Sequence, residues 1–209
     1  LVFDDGIKRL ARVLDVEARQ FELVEELADN VELPVQVTIA SGFPKGDKLE
    51  FITQKVTELG ASQIWAFPAD WSVAKWDGKK LGKKVEKLEK IALGAAEQSK
   101  RNFVPSITLF EKKADFLAQL SQFDRIVVAY EESAKEGESA ALIQAVAGLE
   151  KGAKLLFIFG PEGGLSPAEI ESFEAKGAVL AGLGPRILRA ETAPLYALSA
   201  LSVLLELEK

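Results

Sequence analysis

The chain has 209 residues, 48% of them hydrophobic, and a formal net charge of −6. That length fits one large or two small domains, with enough apolar residues for a sizeable core. It contains neither His nor Cys, which excludes a Ser-His-Asp triad, a histidine general base, a thiolate nucleophile and a zinc finger, and leaves proton transfer to Asp, Glu, Lys, Tyr, water or the substrate.

The chain opens on Leu1-Val2-Phe3-Asp4-Asp5-Gly6, without an initiator Met and within what reads as a β-hairpin, so a fragment at the N-terminus is expected. Val2-Phe3 and Ile7 flank an Asp-Asp-Gly turn, and β-segments follow at 11–16 and 21–24, too few to close a barrel. Pro34 marks a change of rhythm. Beyond it, strands expected at 35–40, 63–67, 106–110, 125–130, 154–159 and 178–183 alternate with helices expected at 47–59, 79–99, 114–121, 139–147, 167–176 and 193–208. This alternation predicts an α/β fold with a mostly parallel sheet covered on both faces. Residues 126–129 and 155–159 are continuously apolar, as buried parallel strands should be. No apolar run reaches membrane-spanning length and no signal peptide is visible, which predicts a cytoplasmic protein with no membrane partner.

In the helix at 79–99, Val85, Leu88, Ile91, Ala92 and Ala95 recur at helical spacing and should face the core, leaving Lys83, Lys84, Lys87 and Lys90 toward solvent. Residues 75–101 hold nine Lys/Arg and four Asp/Glu, a net of +5, whereas the remainder holds 17 and 28, a net of −11. Such a basic face can bind a phosphate backbone, although a solvated lysine-rich helix is the plainer reading of charge alone. The last helix carries Leu195, Leu198, Leu201, Leu204, Leu205 and Leu207 with Ala197, Ala200 and Val203, and leaves little polar face. It needs burial on more than one side, by a partner subunit or within its own fold.

Two strand ends carry the chemistry. After 154–159 comes Gly160-Pro161-Glu162-Gly163-Gly164-Leu165-Ser166-Pro167-Ala168-Glu169. The glycines permit tight turns and close backbone approach, Ser166 and Glu169 form an S-x-x-E capping box, and Pro167 suits the first helical position. The spacing is neither a dinucleotide fingerprint nor a P-loop. Loops at the carboxyl ends of strands are where open α/β sheets bind ligands, while an ordinary strand-to-helix turn would look much the same. The second strand end is Leu183-Gly184-Pro185-Arg186-Ile187-Leu188-Arg189-Ala190-Glu191-Thr192-Ala193-Pro194, with Thr192 as an expected N-cap. Arg186 and Arg189 could clamp an anion or pair with Glu191 or Glu162.

These two loops resemble the RsmE family of SPOUT-class methyltransferases, which act on N3 of a uridine in 16S ribosomal RNA. Three further stretches share the likeness: Pro44-Lys45-Gly46-Asp47-Lys48, Gln54-Lys55-Val56-Thr57-Glu58-Leu59-Gly60, and Ala96-Glu97-Gln98-Ser99-Lys100-Arg101. The resemblance covers residues 35–209, the methyltransferase domain it implies, with a trace in 1–34, a remnant of a PUA-like RNA-binding β-barrel. It implies a C-terminal trefoil knot, which general connection rules would not suggest, and a homodimer with cofactor sites near its interface. It implies S-adenosyl-L-methionine as cofactor, no metal, and a third cofactor loop at Ala129-Tyr130-Glu131. The implied cofactor contacts are Tyr130, Phe159, Gly160, Gly163, Gly164, Leu183, Gly184, Ile187, Leu188, Arg189, Thr192 and Ala193.

A sulfonium donor is already electrophilic, so the demand on the protein is to manage the proton of uracil N3. Glu162, Glu191 or a water could take it, and Arg186, Arg189 or Arg101 could stabilise the uracil anion. Arg186, Arg189 and Glu191 are therefore the candidate catalytic residues, and Lys83, Lys84, Lys87 and Arg101 the candidate RNA contacts. Three rivals stand beside this reading: a SPOUT enzyme with another RNA target, such as a ribose 2′-hydroxyl; a nucleotide-dependent oxidoreductase; and a non-catalytic ribosome-assembly factor.

Overall fold

Strand pleating decides the central layer. Successive side chains of a strand point to opposite faces, and in β7 (Lys154–Phe159) both sets are apolar and buried. Leu155, Phe157 and Phe159 join one core cluster, whereas Leu156 and Ile158 join another on the opposite face. Each fully buried side chain of this size is worth about 1.5–3 kcal/mol of transfer free energy. A strand so constituted must lie inside a sheet covered on both sides.

The computed structural model describes residues 1–3, 5–130 and 141–207. Its main sheet has the order β5-β4-β3-β7-β6-β8 and is parallel throughout. The other strands are β3 (Gln36–Gly42), β4 (Gln63–Phe67), β5 (Ser106–Leu109), β6 (Arg125–Ala129) and β8 (Val179–Ala181). All six expected strands are present. β8 is shorter than the expected 178–183, because it pairs only with β6 and leaves the sheet at Gly182.

One face is covered by α1 (Lys48–Glu58), α4 (Ala141–Val146) and α6 (Ala193–Ser202), through residues such as Ile52, Val56, Leu142, Leu198 and Leu201. The other is covered by α3 (Lys113–Ala118) and α5 (Pro167–Glu174), through Phe116 and Phe173. The long helix α2 (Gly78–Gln98) closes a third cluster, with Leu81 and Leu88 against Phe43 and Leu49. Its buried line is Leu81, Leu88, Ala92, Ala95 and Ala96, so Val85 and Ile91 are only half-buried. The helix expected at 114–121 divides into α3 and a short 3₁₀ turn, Leu120–Gln122.

The final helix takes the second of its two expected routes to burial, within its own fold. Ala197, Leu198 and Leu201 are buried in the chain's own core, and Leu195, Leu204 and Leu205 are packed against it. The large apolar side chains that α6 and the wider π turn after it (Val203–Leu207) leave exposed are Tyr196, Val203 and Leu207. No helix among the described residues is long and apolar enough to cross a membrane.

β1 (Lys8–Asp15) and β2 (Gln20–Leu27) form a separate antiparallel hairpin. Leu10, Val13, Phe21 and Leu23 on it are exposed. The segment after it is fastened to the main body by Arg101, whose guanidinium pairs with the Glu32 carboxylate and donates to the carbonyls of Thr57 (3.1 Å) and Ala61 (2.6 Å). Asn102 adds a bond from its side-chain N–H to the Gly6 carbonyl, 2.8 Å.

Candidate functional site

The turn after β7 is built on missing side chains. A Cβ at Gly160 would lie 2.7 Å from the carbonyl carbon of Gly164, so the turn closes only with glycine there. Gly164 has φ +81° and donates its N–H to the Pro161 carbonyl at 2.8 Å. A Cβ at Gly163 would approach Trp71 Cβ to 3.1 Å. The expected capping box is formed: the Ser166 hydroxyl accepts from Glu169 N–H (3.2 Å), and Glu169 Oε2 accepts from Ser166 N–H (2.9 Å). Glu169 is buried, and its Oε1 also accepts from Asp70 N–H at 2.9 Å. Asp70 accepts from the Ser166 hydroxyl (2.6 Å) and pairs with Lys113, which reaches Glu169 at 3.4 Å. Lys113 and then Ser166 hold the Asp70 carboxyl below its ordinary range.

The loop after β8 is looser. Arg186, Ile187 and Arg189 are exposed, Ile187 to 77%. Gly184 has φ +84°, which favours glycine. Leu183 and Ala193 pack against the core, and Leu188 is half-buried. Thr192 occupies the N-cap position but its side chain makes no capping bond. Its backbone is already helical (φ −89°, ψ −36°), and the Arg189 carbonyl accepts from the N–H groups of Thr192 (2.9 Å) and Ala193 (3.0 Å).

The sheet brings these loops together. β7, β6 and β8 are neighbours, so Phe159, Ala129 and Ala181 end side by side. Tyr130, half-buried against the second cluster, donates its N–H to the Ala181 carbonyl at 3.1 Å. Glu131, the last residue of the expected third loop, lies outside the described residues.

The charges pair differently from either arginine expectation. Lys48 Nζ lies 3.0 Å from a Glu162 oxygen and 3.0 Å from a Glu191 oxygen. The Lys45 N–H also donates to Glu162, at 3.1 Å. Burial pushes both carboxyls up, but the pairing with Lys48, hydrogen bonds from backbone N–H groups and, for Glu191, the charge of Arg189 outweigh it, and both sit below the usual glutamate value. The two carboxylates together raise the Lys48 ammonium above the usual lysine value. Lys48 is the residue at this junction that the sequence did not single out. It stands in the Pro44–Lys48 stretch of the resemblance, but nothing along the chain joins positions 48, 162 and 191.

The candidate RNA contacts separate. Lys83 is exposed at the surface of α2. Lys84 is half-buried, lies over the Trp76 ring (4.4 Å) and is 3.5 Å from Glu50. Lys87 is exposed and pairs with Glu50 at 2.9 Å. Trp76 in turn packs on Phe43, 4.3 Å between ring centres, so this end of α2 leans on the loop that leads to Lys48. Arg101 is a correction: it is buried, with its guanidinium spent on Glu32 and two carbonyls, and has none of the exposure that a phosphate contact or a uracil clamp needs.

Sheet and loops together are those of an RNA methyltransferase: the family described as the RNA methyltransferase domain matches residues 31–202. Over 185 residues the chain is 54% identical to the ribosomal RNA small subunit methyltransferase E of Bacillus subtilis strain 168, covering 88% of this chain and 72% of that one. The chain belongs to that family, RsmE. Among solved structures, one described as a hypothetical protein superposes with a TM-score of 0.90 at 47% identity, covering 98% of this chain and 82% of the other. A ribosomal RNA small subunit methyltransferase E from Neisseria gonorrhoeae, bound to S-adenosyl methionine, superposes with a TM-score of 0.76 at 27% identity, covering 95% and 80%.

Proposed function

We propose that this chain transfers a methyl group from S-adenosylmethionine to N3 of a specific uridine in small-subunit (16S) ribosomal RNA. The observation that carries the reading is the meeting of the 160–166 and 182–192 loops at the ends of β7 and β8, which flank β6, in a fold shared with a relative that binds the cofactor. The site fits that group. Gly160 and Gly163 fold the turn tightly on itself and against Trp71, Gly164 leaves room at its α-carbon, and Leu183 and Leu188 offer half-buried apolar surface on the other loop.

When bound, S-adenosylmethionine supplies a methyl carbon on a positively charged sulfur. Its carbon–sulfur bond breaks as the carbon–nitrogen bond forms, and the N3 proton leaves to water or a carboxylate. The chain's part is to hold two reactants in line and stabilise charge. Arg186 and Arg189 are exposed, and their role in this reading is to stabilise the uracil oxygens as N3 loses its proton. Glu162 and Glu191 are held ionised by backbone N–H groups together with Lys48, which makes each a weak proton acceptor. Lys83, with Lys87, gives the phosphate backbone a basic landing beside the site.

The reading extends to the whole chain. Residues 1–34 act as part of a PUA-like RNA-binding domain and 35–209 as the SPOUT domain. Removing residues 1–30, which spares Glu32, should weaken RNA binding and leave cofactor affinity unchanged. A trefoil knot through the 182–192 connection is supported by the insertion of β7 between β3 and β6. Stretching the chain from its ends should then stop short of full contour length. Two copies pair through Tyr196, Val203 and Leu207. Val203→Glu with Leu207→Glu should yield monomers in sedimentation, whereas Leu201→Glu, set in the core, should unfold the chain. The ribosome places the work in the cytoplasm, which fractionation would check.

Mass mapping of modified nucleosides in 16S RNA, with and without the protein, tests the activity. Loss of one N3-methyluridine is expected. Unchanged RNA despite cofactor binding in calorimetry would point to another RNA target, and no cofactor binding to an assembly factor.

A further inference from the structure

Lys48 opens α1, a helix fixed to the core through Leu49, Ile52 and Val56, all fully buried. Its ammonium is thus carried by the scaffold, while the carboxylates it touches sit on two connections that hang from strand ends. Glu162 follows β7 and Glu191 follows β8, 29 positions later in the chain. Left to themselves, two carboxylates would repel and drive the loops apart. The Lys48 ammonium stands 3.0 Å from each carboxylate, a charge pairing rather than a directed hydrogen bond at Glu191 Oε2. The Lys45 N–H adds a second tie to Glu162 from the same β3–α1 loop. The Lys48 side chain is 27% exposed, so the pairing is partly shielded from water and stronger than a surface ion pair.

We propose that Lys48 is a positioning residue that clasps the 160–166 loop to the 182–192 loop, through Glu162 and Glu191, at the separation the cofactor requires. The proposal rests on the cofactor reading above. It assigns Glu162 and Glu191 to loop closure, so the N3 proton leaves to water near the arginines. Without the clasp, each molecule of cofactor must draw the loops together itself, and part of its binding energy is spent doing so.

The experiment is calorimetric titration of the full chain with S-adenosylmethionine and with its demethylated product, alongside thermal melting. Lys48→Met keeps the aliphatic stem and loses the charge, and should weaken cofactor affinity about tenfold, equivalent to 1.4 kcal/mol. Lys48→Arg should restore most of it, since a guanidinium can span two carboxylates. Glu162→Gln and Glu191→Gln should each weaken binding when made alone and add little in the Lys48→Met background, the mark of one shared interaction. Equal affinity of wild type and Lys48→Met would overturn the proposal, as would strictly additive losses. So would a fall in melting temperature in Lys48→Met with no change in affinity, which is a structural role only. A wild-type chain that binds neither ligand would overturn the cofactor reading itself, and the clasp with it.

Discussion

The two loops that frame the site are built in opposite ways. The 160–166 loop is determined by its own residues: a Gly160 that admits no Cβ, a Gly164 at positive φ, a reciprocal cap between Ser166 and Glu169, and a buried carboxylate that also holds the Asp70 backbone. The 182–192 loop has two backbone bonds at its far end, an uncapped helix start, and an isoleucine 77% exposed. The difference separates preorganisation from adaptability. In the proposed site the first loop is a fixed floor for the cofactor. The second holds its arginines in solvent and is ordered against the floor by Lys48. A rigid half lowers the entropy lost on binding, and a loose half lets a large substrate enter.

Breaking the floor should have the largest effect. Gly160→Ala places a Cβ 2.7 Å from backbone, which cannot give way as a side chain could. Cofactor binding should disappear in calorimetry while the far-ultraviolet circular dichroism remains native. Gly164→Val should act as strongly, though through conformation rather than space, because its φ of +81° is a strained value for a β-branched residue. Near-wild-type affinity in both variants would show that the floor is not where the ligand lies.

Loosening the floor comes next. Glu169→Ala leaves the N–H groups of Asp70 and Ser166 and the Lys113 ammonium without their buried acceptor. Orphaned buried donors cost about 1–3 kcal/mol each, and about 1 kcal/mol lowers the melting temperature of a chain this size by about 2–4 °C. The Michaelis constant for the cofactor should rise with the melting loss. A stable variant with normal kinetics would show that the network does not shape the loop.

The join between the loops is sharpened by pH. The Glu162 and Glu191 carboxyls lie below their ordinary value, so their contribution is present at and above the unfolded-state value and lost as pH falls through the lower folded one. The Lys48 ammonium is raised, so its contribution holds below the ordinary lysine range and fades only above it. Cofactor affinity should therefore be flat from neutral pH down to the ordinary carboxylate range, about 4.3, and decline only below it. In Lys48→Met the decline should begin at higher pH. A wild-type decline starting near neutrality would mean that some other group controls the join.

The same contrast governs what could be read from the chain. The floor was legible, since glycine, proline and a Ser-x-x-Glu cap are local signals, and the central strands were legible from unbroken apolar runs. Residues whose role depends on distant partners were not. Arg101 looked like part of a basic surface, yet its acceptors are on Glu32, Thr57 and Ala61. Leu201 could have faced a partner subunit or the chain's own core, and only the sheet beneath it decides for the core. Thr192 looked like a cap, but the turn before it was already helical.

The smallest effect expected is at the rim, where α2 is proposed to meet the RNA. Its lysines are not equivalent. Lys83 is exposed, Lys87 is exposed but shares Glu50, and Lys84 is held over Trp76 and beside the same carboxylate. Each phosphate neutralised contributes about 0.9 to the slope of log affinity against log salt for duplex and about 0.7 for single strands. Lys83→Gln should therefore flatten the slope by nearly one such increment and Lys87→Gln by less, since releasing Lys87 from Glu50 already costs part of its gain. Lys84→Gln should leave the slope nearly unchanged and lower the melting temperature instead, because that ammonium belongs to the packing around Trp76 and Phe43. None of the three should alter cofactor affinity. Equal slopes for wild type and all three variants would make this helix a solubilising surface, with the RNA held by the arginine loop and the N-terminal hairpin. A slope change confined to Lys84 would instead mean that its ring contact opens when RNA binds.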